Sequence, residues 1–179
     1  RQILWGLFKK MVIADNCAVF ANQIFANSAT ASGSELVLGA LFFTFQIYGD
    51  FSGYSDIARG SSRILGVELM LNFNKPYFAK SVSEFWRRWH ISLSTWFRDY
   101  VYIPLGGNRS GKWKTHFNLL AVFSLSGLWH GANWTYILFG FLNGCFFIPQ
   151  ILRGPQKQKK KVILIKIILI LFLLTLVLF

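Results

Sequence analysis

Apolar segment length constrains this chain more than any other feature. A hydrocarbon layer about 30 Å thick is crossed by roughly 20 apolar residues of helix, and residues 133–152 and 162–179 meet that length. Residues 36–48 and 118–129 are as apolar but shorter, which suits tilted, broken or protein-buried helices. Hydrophobic residues make up 54% of the chain and charged ones 15%. The expected fold is therefore an all-α, polytopic transmembrane protein with re-entrant or interfacial helices. The last apolar run reaches Phe179 without a polar flank, so the chain reads as part of a longer protein.

The net charge of +12 raises nucleic acid as a partner, but the basic residues sit beside apolar segments. They gather at Lys9 and Lys10, over residues 109–114, and over residues 153–161. Membrane proteins keep such clusters on the cytoplasmic side. Lipid is thus the expected partner and nucleic acid is not. A two-pass hairpin of 118–129 and 133–152 would place the loops at 109–114 and 153–161 on the same, cytoplasmic side. No charged start, short apolar run and small-residue cleavage site marks a removable leader. Cys17 and Cys145 are far apart and outside any CxxC pattern, so neither a disulfide framework nor a zinc site is expected.

Residues 1–27 read as a helix of mixed polarity suited to the membrane surface, with Trp5, Phe8, Val12 and Ile13 on one side. A small, polar turn over 28–34 precedes the apolar run at 36–48. The stretch 49–66 mixes Asp50, Asp56 and Arg59 with glycines and serines, too polar for lipid, so it must face protein or water. Ser81 and Glu84 have capping-box spacing, which predicts a helix beginning near Ser83. Stepped at about 100° per residue, that helix carries Phe85, Trp86, Trp89, Leu93, Trp96, Phe97 and Tyr100 on one arc and Glu84, Arg88, Ser92, Thr95 and Asp99 on the other. His90 falls at the boundary. Burying Arg87, Arg88, Arg98 and Asp99 at mid-bilayer would cost about 2.5–3.5 kcal/mol each. An interfacial or cavity-lining helix is therefore expected. Pro104, Gly106, Gly107, Asn108 and Gly111 then make a basic loop.

His130 closes the apolar run 118–129 and is followed by Gly131, Ala132 and Asn133. A histidine at membrane depth is a functional candidate. Neutral imidazole can take a proton from an attacking hydroxyl and return it to a leaving thiol, and burial would keep it neutral. The plainer alternative is a histidine that ends a helix and bonds a nearby carbonyl. His90 has the same two readings, the packed one favoured by Arg87 and Trp86 beside it. Asp50 and Asp56 could hold a cation, orient an imidazole or cap helices, but a salt bridge with Arg59 is simpler. No HExxH or cysteine pair completes a metal site around the histidines. GxSxG, P-loop and strand-borne GxGxxG motifs are missing too, which removes support for hydrolase, nucleotidase and dinucleotide readings.

The segments YGDFSGYSDIARG (48–60), FWRRWHISLSTWFRDYVYIPLGG (85–107) and LSGLWHGANWTYILFG (125–140) together resemble the membrane-bound O-acyltransferase family, most closely its bacterial alginate O-acetyltransferase branch. The resemblance implies a tunnelled, multi-pass protein of the bacterial inner membrane. It would pass an acetyl group from a cytoplasmic thioester, an acyl-CoA or acyl carrier, to hydroxyls of an exported polysaccharide or to an extracytoplasmic acetyl-transfer partner. Residues 1–152 would hold part of the catalytic region, 153–161 a cytoplasmic loop and 162–179 a further membrane helix, with Lys166 facing protein or snorkelling. By the same resemblance His130 is the catalytic histidine and His90 its companion. Trp129, Trp86, Arg87, Asp50, Asp56 and Asp99 are the candidates for lining the substrate site or tunnel. Neither a metal nor a tightly bound cofactor is expected. The alternatives are D-alanyl transfer to teichoic acid within the family, a transporter or channel whose histidines relay protons, and a lipid-holding scaffold.

Overall fold

A computed structural model describes residues 1–109 and 111–148. The basic loop at 153–161, the helix expected over 162–179 with Lys166, and the end of the 133–152 span lie outside the described residues. Every regular element among the described residues is helical, as the apolar patterning requires. The chain divides into two units, Arg1–Asn72 and a second that begins at Phe73.

In the first unit, α1 (Gln2–Leu7), a π-helical stretch (Phe8–Ala14) and α2 (Asp15–Ala26) follow one another without a break and pack along α3 (Gly33–Ile64). α3 starts at a full capping box: the Ser32 hydroxyl accepts from the Glu35 N–H while the Glu35 carboxylate accepts from the Ser32 N–H at 2.7 Å. The apolar run and the polar stretch that follows it are therefore one helix of 32 residues, not a helix and a separate segment. Among the described residues it is the helix long and apolar enough to cross a membrane.

Small residues explain why the polar half of α3 stays helical. A Cβ on Gly53 would stand 2.7 Å from the Gly6 carbonyl oxygen, and one on Gly6 would stand 2.6 Å from that of Gly53. The two backbones thus touch where neither residue has a side chain, the close crossing small residues permit between membrane helices. Gly49, Ser52, Gly53, Ser55 and Gly60 are buried, which meets the expectation that this stretch faces protein.

The expected apolar side of residues 1–27 faces outward: Trp5, Phe8 and Val12 are exposed while Gly6, Lys9 and Ala14 are buried. Large apolar side chains stand outside while Lys9 is buried, which reverses the soluble pattern. The helix packs along α3 through its small residues.

The second unit opens with a 3₁₀ turn (Pro76–Phe78), then α4 (Val82–Arg88), α5 (Ile91–Phe97) and a π-helical turn (Arg98–Tyr102). α6 (Lys112–His130) and α7 (Trp134–Cys145) form a hairpin. Gly127 and Gly140 set its crossing, since an added Cβ would lie 2.0 Å from the Tyr136 carbonyl oxygen and 2.1 Å from that of Phe123 respectively. Buried Asn118 donates to the carbonyls of Leu105 and Gly107, tying the preceding loop to α6.

Candidate active site

The Ser81 hydroxyl accepts from the Glu84 N–H, as the capping-box spacing predicts, and α4 begins at Val82. The reciprocal bond is displaced by one residue: the Glu84 carboxylate accepts from the Lys80 N–H at 2.6 Å. Glu84 also pairs with Arg88 at 2.5 Å across one helical turn.

The single helix expected through residue 100 is broken. Trp89 is extended (φ −108°, ψ 127°) and His90 is left-handed (φ 43°, ψ 57°), so α4 ends at Arg88 and α5 starts at Ile91. The arc drawn across the break does not exist, and His90 sits at the hinge, not on a face boundary. A left-handed non-glycine residue costs about 1–3 kcal/mol and persists only where its surroundings over-determine it. Here the Asn74 N–H donates to the Arg88 carbonyl at 2.9 Å. The Trp89 ring stands edge-on to Phe73 at 5.0 Å and stacks on Phe85 at 5.5 Å.

The break turns His90 into an open, largely apolar cleft of about 370 Å³, lined by His90, Ser92, Leu93, Trp96 and Trp129. His90 and Trp129 have ring centroids 6.0 Å apart, and Trp129 meets His130 edge-on at 5.1 Å. Trp129 thus touches both motif histidines. His90 is half-buried, and that burial, with the charge of His130 second, lowers its pKa to about 4. At neutral pH its imidazole is uncharged and keeps a lone pair.

His130 is the last residue of α6 and its side chain is exposed on this chain. It ends the helix where Gly131 lets Tyr136 close in, since a Cβ on Gly131 would stand 2.5 Å from the Tyr136 ring. Asn133 caps α7 by accepting from the Thr135 N–H. The sequence His130–Asn133 is therefore a tight interhelical turn that fixes where the histidine stands.

The remaining candidates have other neighbours. Trp86 packs edge-on against Phe123 at 5.1 Å, Arg87 is exposed on the last turn of α4, and Asp99 pairs with adjacent Arg98 at 2.7 Å. Asp50 and Asp56 belong to the first unit. Their partners are lysines, not Arg59, which donates to the Leu69 carbonyl. Lys9, 9% exposed, donates to the Ser52 carbonyl and hydroxyl and pairs with Asp56 at 2.5 Å. Lys10 pairs with Asp50 at 2.8 Å and Asp15 at 2.7 Å. Sequence reasoning missed Ser92, Leu93 and Trp96 as cleft walls, because the unbroken wheel put Ser92 on the arc opposite the other two. It also passed over His116, which is buried with neither ring nitrogen bonded among the described residues.

An all-helical protein with an aromatic cleft that holds one histidine, and a second histidine behind the tryptophan of its wall, is the class that fold and site define. Residues 1–176 match the model of the MBOAT, membrane-bound O-acyltransferase family, and the chain belongs to that family. It is 52% identical over 159 residues to the probable alginate O-acetylase AlgI of Azotobacter vinelandii, covering 88% of this chain and 32% of that protein. Identity is 48% over 139 residues with the peptidoglycan O-acetyltransferase of Helicobacter pylori (78% of this chain, 26% of that one). With the teichoic acid D-alanyltransferase of Streptococcus thermophilus it is 37% over 174 residues (91% and 41%). The chain thus spans between about a quarter and two fifths of the length of these relatives.

Proposed function

We propose that the protein acts as a multi-pass O-acyltransferase of the bacterial inner membrane. It moves an acetyl group from a cytoplasmic thioester, an acyl-CoA or acyl carrier, to hydroxyls of an exported polysaccharide or an extracytoplasmic transfer partner. The observation that carries this reading is the contact of His90 and His130 with the same indole, Trp129, at an apolar cleft. His130 removes the acceptor hydroxyl's proton as its oxygen attacks the thioester carbonyl. The C–O bond forms, the C–S bond breaks, and the imidazolium returns the proton to the departing thiolate. No covalent acyl-enzyme is needed. His90, uncharged and held at the hinge, positions or polarises the reacting groups.

Acetyl transfer is favoured over D-alanyl transfer by the identities of 52% and 48% to O-acetylating relatives against 37% to a D-alanylating one. The test follows labelled acetate into cell-surface polysaccharide in a strain lacking its own copy of the gene. The full-length protein is supplied as wild type, His130→Ala or His90→Ala at matched membrane abundance. Loss of label with His130→Ala is expected. Undiminished labelling would overturn the mechanism and favour transport or scaffolding.

A further inference from the structure

His90 is the only non-glycine residue besides Lys75 with positive φ among the described residues, and no glycine or proline in its neighbourhood accounts for it. The conformation is set by the two peptide groups on either side of the residue. Trp89 presents one carbonyl and His90 the other. A single residue grips both: the Ser94 N–H donates to the His90 carbonyl at 3.0 Å, and the Ser94 hydroxyl donates to the Trp89 carbonyl at 3.3 Å. The first bond is the ordinary opening bond of α5 and any residue would make it. The second reaches back five residues and needs a side-chain hydroxyl.

That second bond fixes the tilt of the Trp89–His90 peptide plane, and so the φ at which the His90 ring leaves the backbone. Ser94 itself is not among the residues that wall the cleft. We infer that Ser94 is a positioning residue for the reaction: its hydroxyl, bonded to the Trp89 carbonyl, holds His90 in the left-handed conformation that aims the imidazole into the cleft beside Trp129. This rests on the reading of His90 and His130 as the reacting pair. A displacement of about 1 Å in a catalytic group is enough to lose roughly 100-fold in rate.

The test uses the full-length protein and the same acetate-labelling assay, with Ser94→Ala, Ser94→Thr and His90→Ala at matched membrane abundance. The thermal denaturation of each purified protein is recorded alongside. Ser94→Ala is expected to slow labelling roughly 10- to 100-fold while denaturing near the wild-type temperature, and Ser94→Thr, which restores the hydroxyl, to recover most of the rate. Labelling by Ser94→Ala within twofold of wild type, with His90→Ala inactive, would overturn the positioning role and leave the catalytic reading intact. A threonine variant as slow as the alanine one would overturn it too, since the loss would then follow packing and not the hydrogen bond. Normal labelling by His90→Ala would remove His90 from the reaction, and the positioning role with it, while His130 as general base would stand or fall on His130→Ala.

Discussion

The two units handle polar groups in opposite ways. In the first, charge sits between helices: Lys9 and Asp56 form an ion pair tucked under small residues, and two hydrogen bonds to Ser52 satisfy the rest of the ammonium. Nothing in that pairing is left to react. In the second, the cleft wall carries neither lysine nor carboxylate, and its one ionisable group is a strained histidine kept neutral. An ionisable side chain in an apolar setting is thus a candidate for function only until its partners are known. The charged motif binds helix to helix, and residues of the two histidine motifs wall the cleft.

The sharpest way to break that contrast is to unpair the first unit. Asp56→Ala strands a buried ammonium, and removing one member of a buried pair costs about 3–5 kcal/mol. Little folded protein should be recovered from membranes. The double variant Lys9→Met, Asp56→Leu removes both charges and should restore recovery close to wild type, read by detergent-extracted yield and thermal denaturation. A double variant as unstable as the single one would show that the charges do more than hold the helices.

Next in size is Gly140→Ala. The added methyl meets the Phe123 carbonyl at 2.1 Å, backbone that cannot swing aside, and overpacking of this kind costs about 1–3 kcal/mol. The hairpin must spread, which moves His130, so acetate labelling should fall along with thermal stability. Stability lost without any fall in labelling would separate His130 from the hairpin crossing.

How much of this was legible in the sequence follows the range of the interactions. The Ser81–Glu84 cap depends on residues three apart, and the sequence announces it; its partner bond slid to Lys80 because backbone geometry one residue away decides it. The all-helical class was legible as well. The hinge at His90 was not, because residues 85–97 contain no helix breaker and the break is imposed by Phe73, Asn74, Phe85 and Ser94. The lysine partners of Asp50 and Asp56 come from an element some forty residues earlier, so nearby Arg59 looked the simpler choice. α3 was divided at Gly49 because glycine, serine and aspartate look like a loop until a second helix lies against them.

A smaller effect separates the units by pH. The folded pKa of His90 is lowered to about 4, below the ordinary histidine value of about 6.5. Between those values the unfolded chain binds a proton that the native hinge refuses, so His90 costs stability as pH falls from about 6.5 toward 4, and contributes no such loss above that window. His90→Gln should flatten the fall in denaturation temperature between pH 7 and 4.5. An unchanged slope would mean that the hinge accepts the proton. Smallest of all, the exposed Arg63–Glu68 pair should contribute no more than about 1 kcal/mol. Glu68→Gln is therefore expected to leave denaturation almost unmoved.

The most direct measurement sets the units against each other in one assay. Labelled acetate is followed into surface polysaccharide with the full-length protein as His130→Ala and as the Lys9→Met, Asp56→Leu double variant, both at wild-type membrane abundance. Loss of one general base predicts a fall of at least about 100-fold for His130→Ala, with the charge-free first unit still labelling near the wild-type rate. Normal labelling by His130→Ala, with the double variant inactive, would contradict the account and place the chemistry at the buried ion pair.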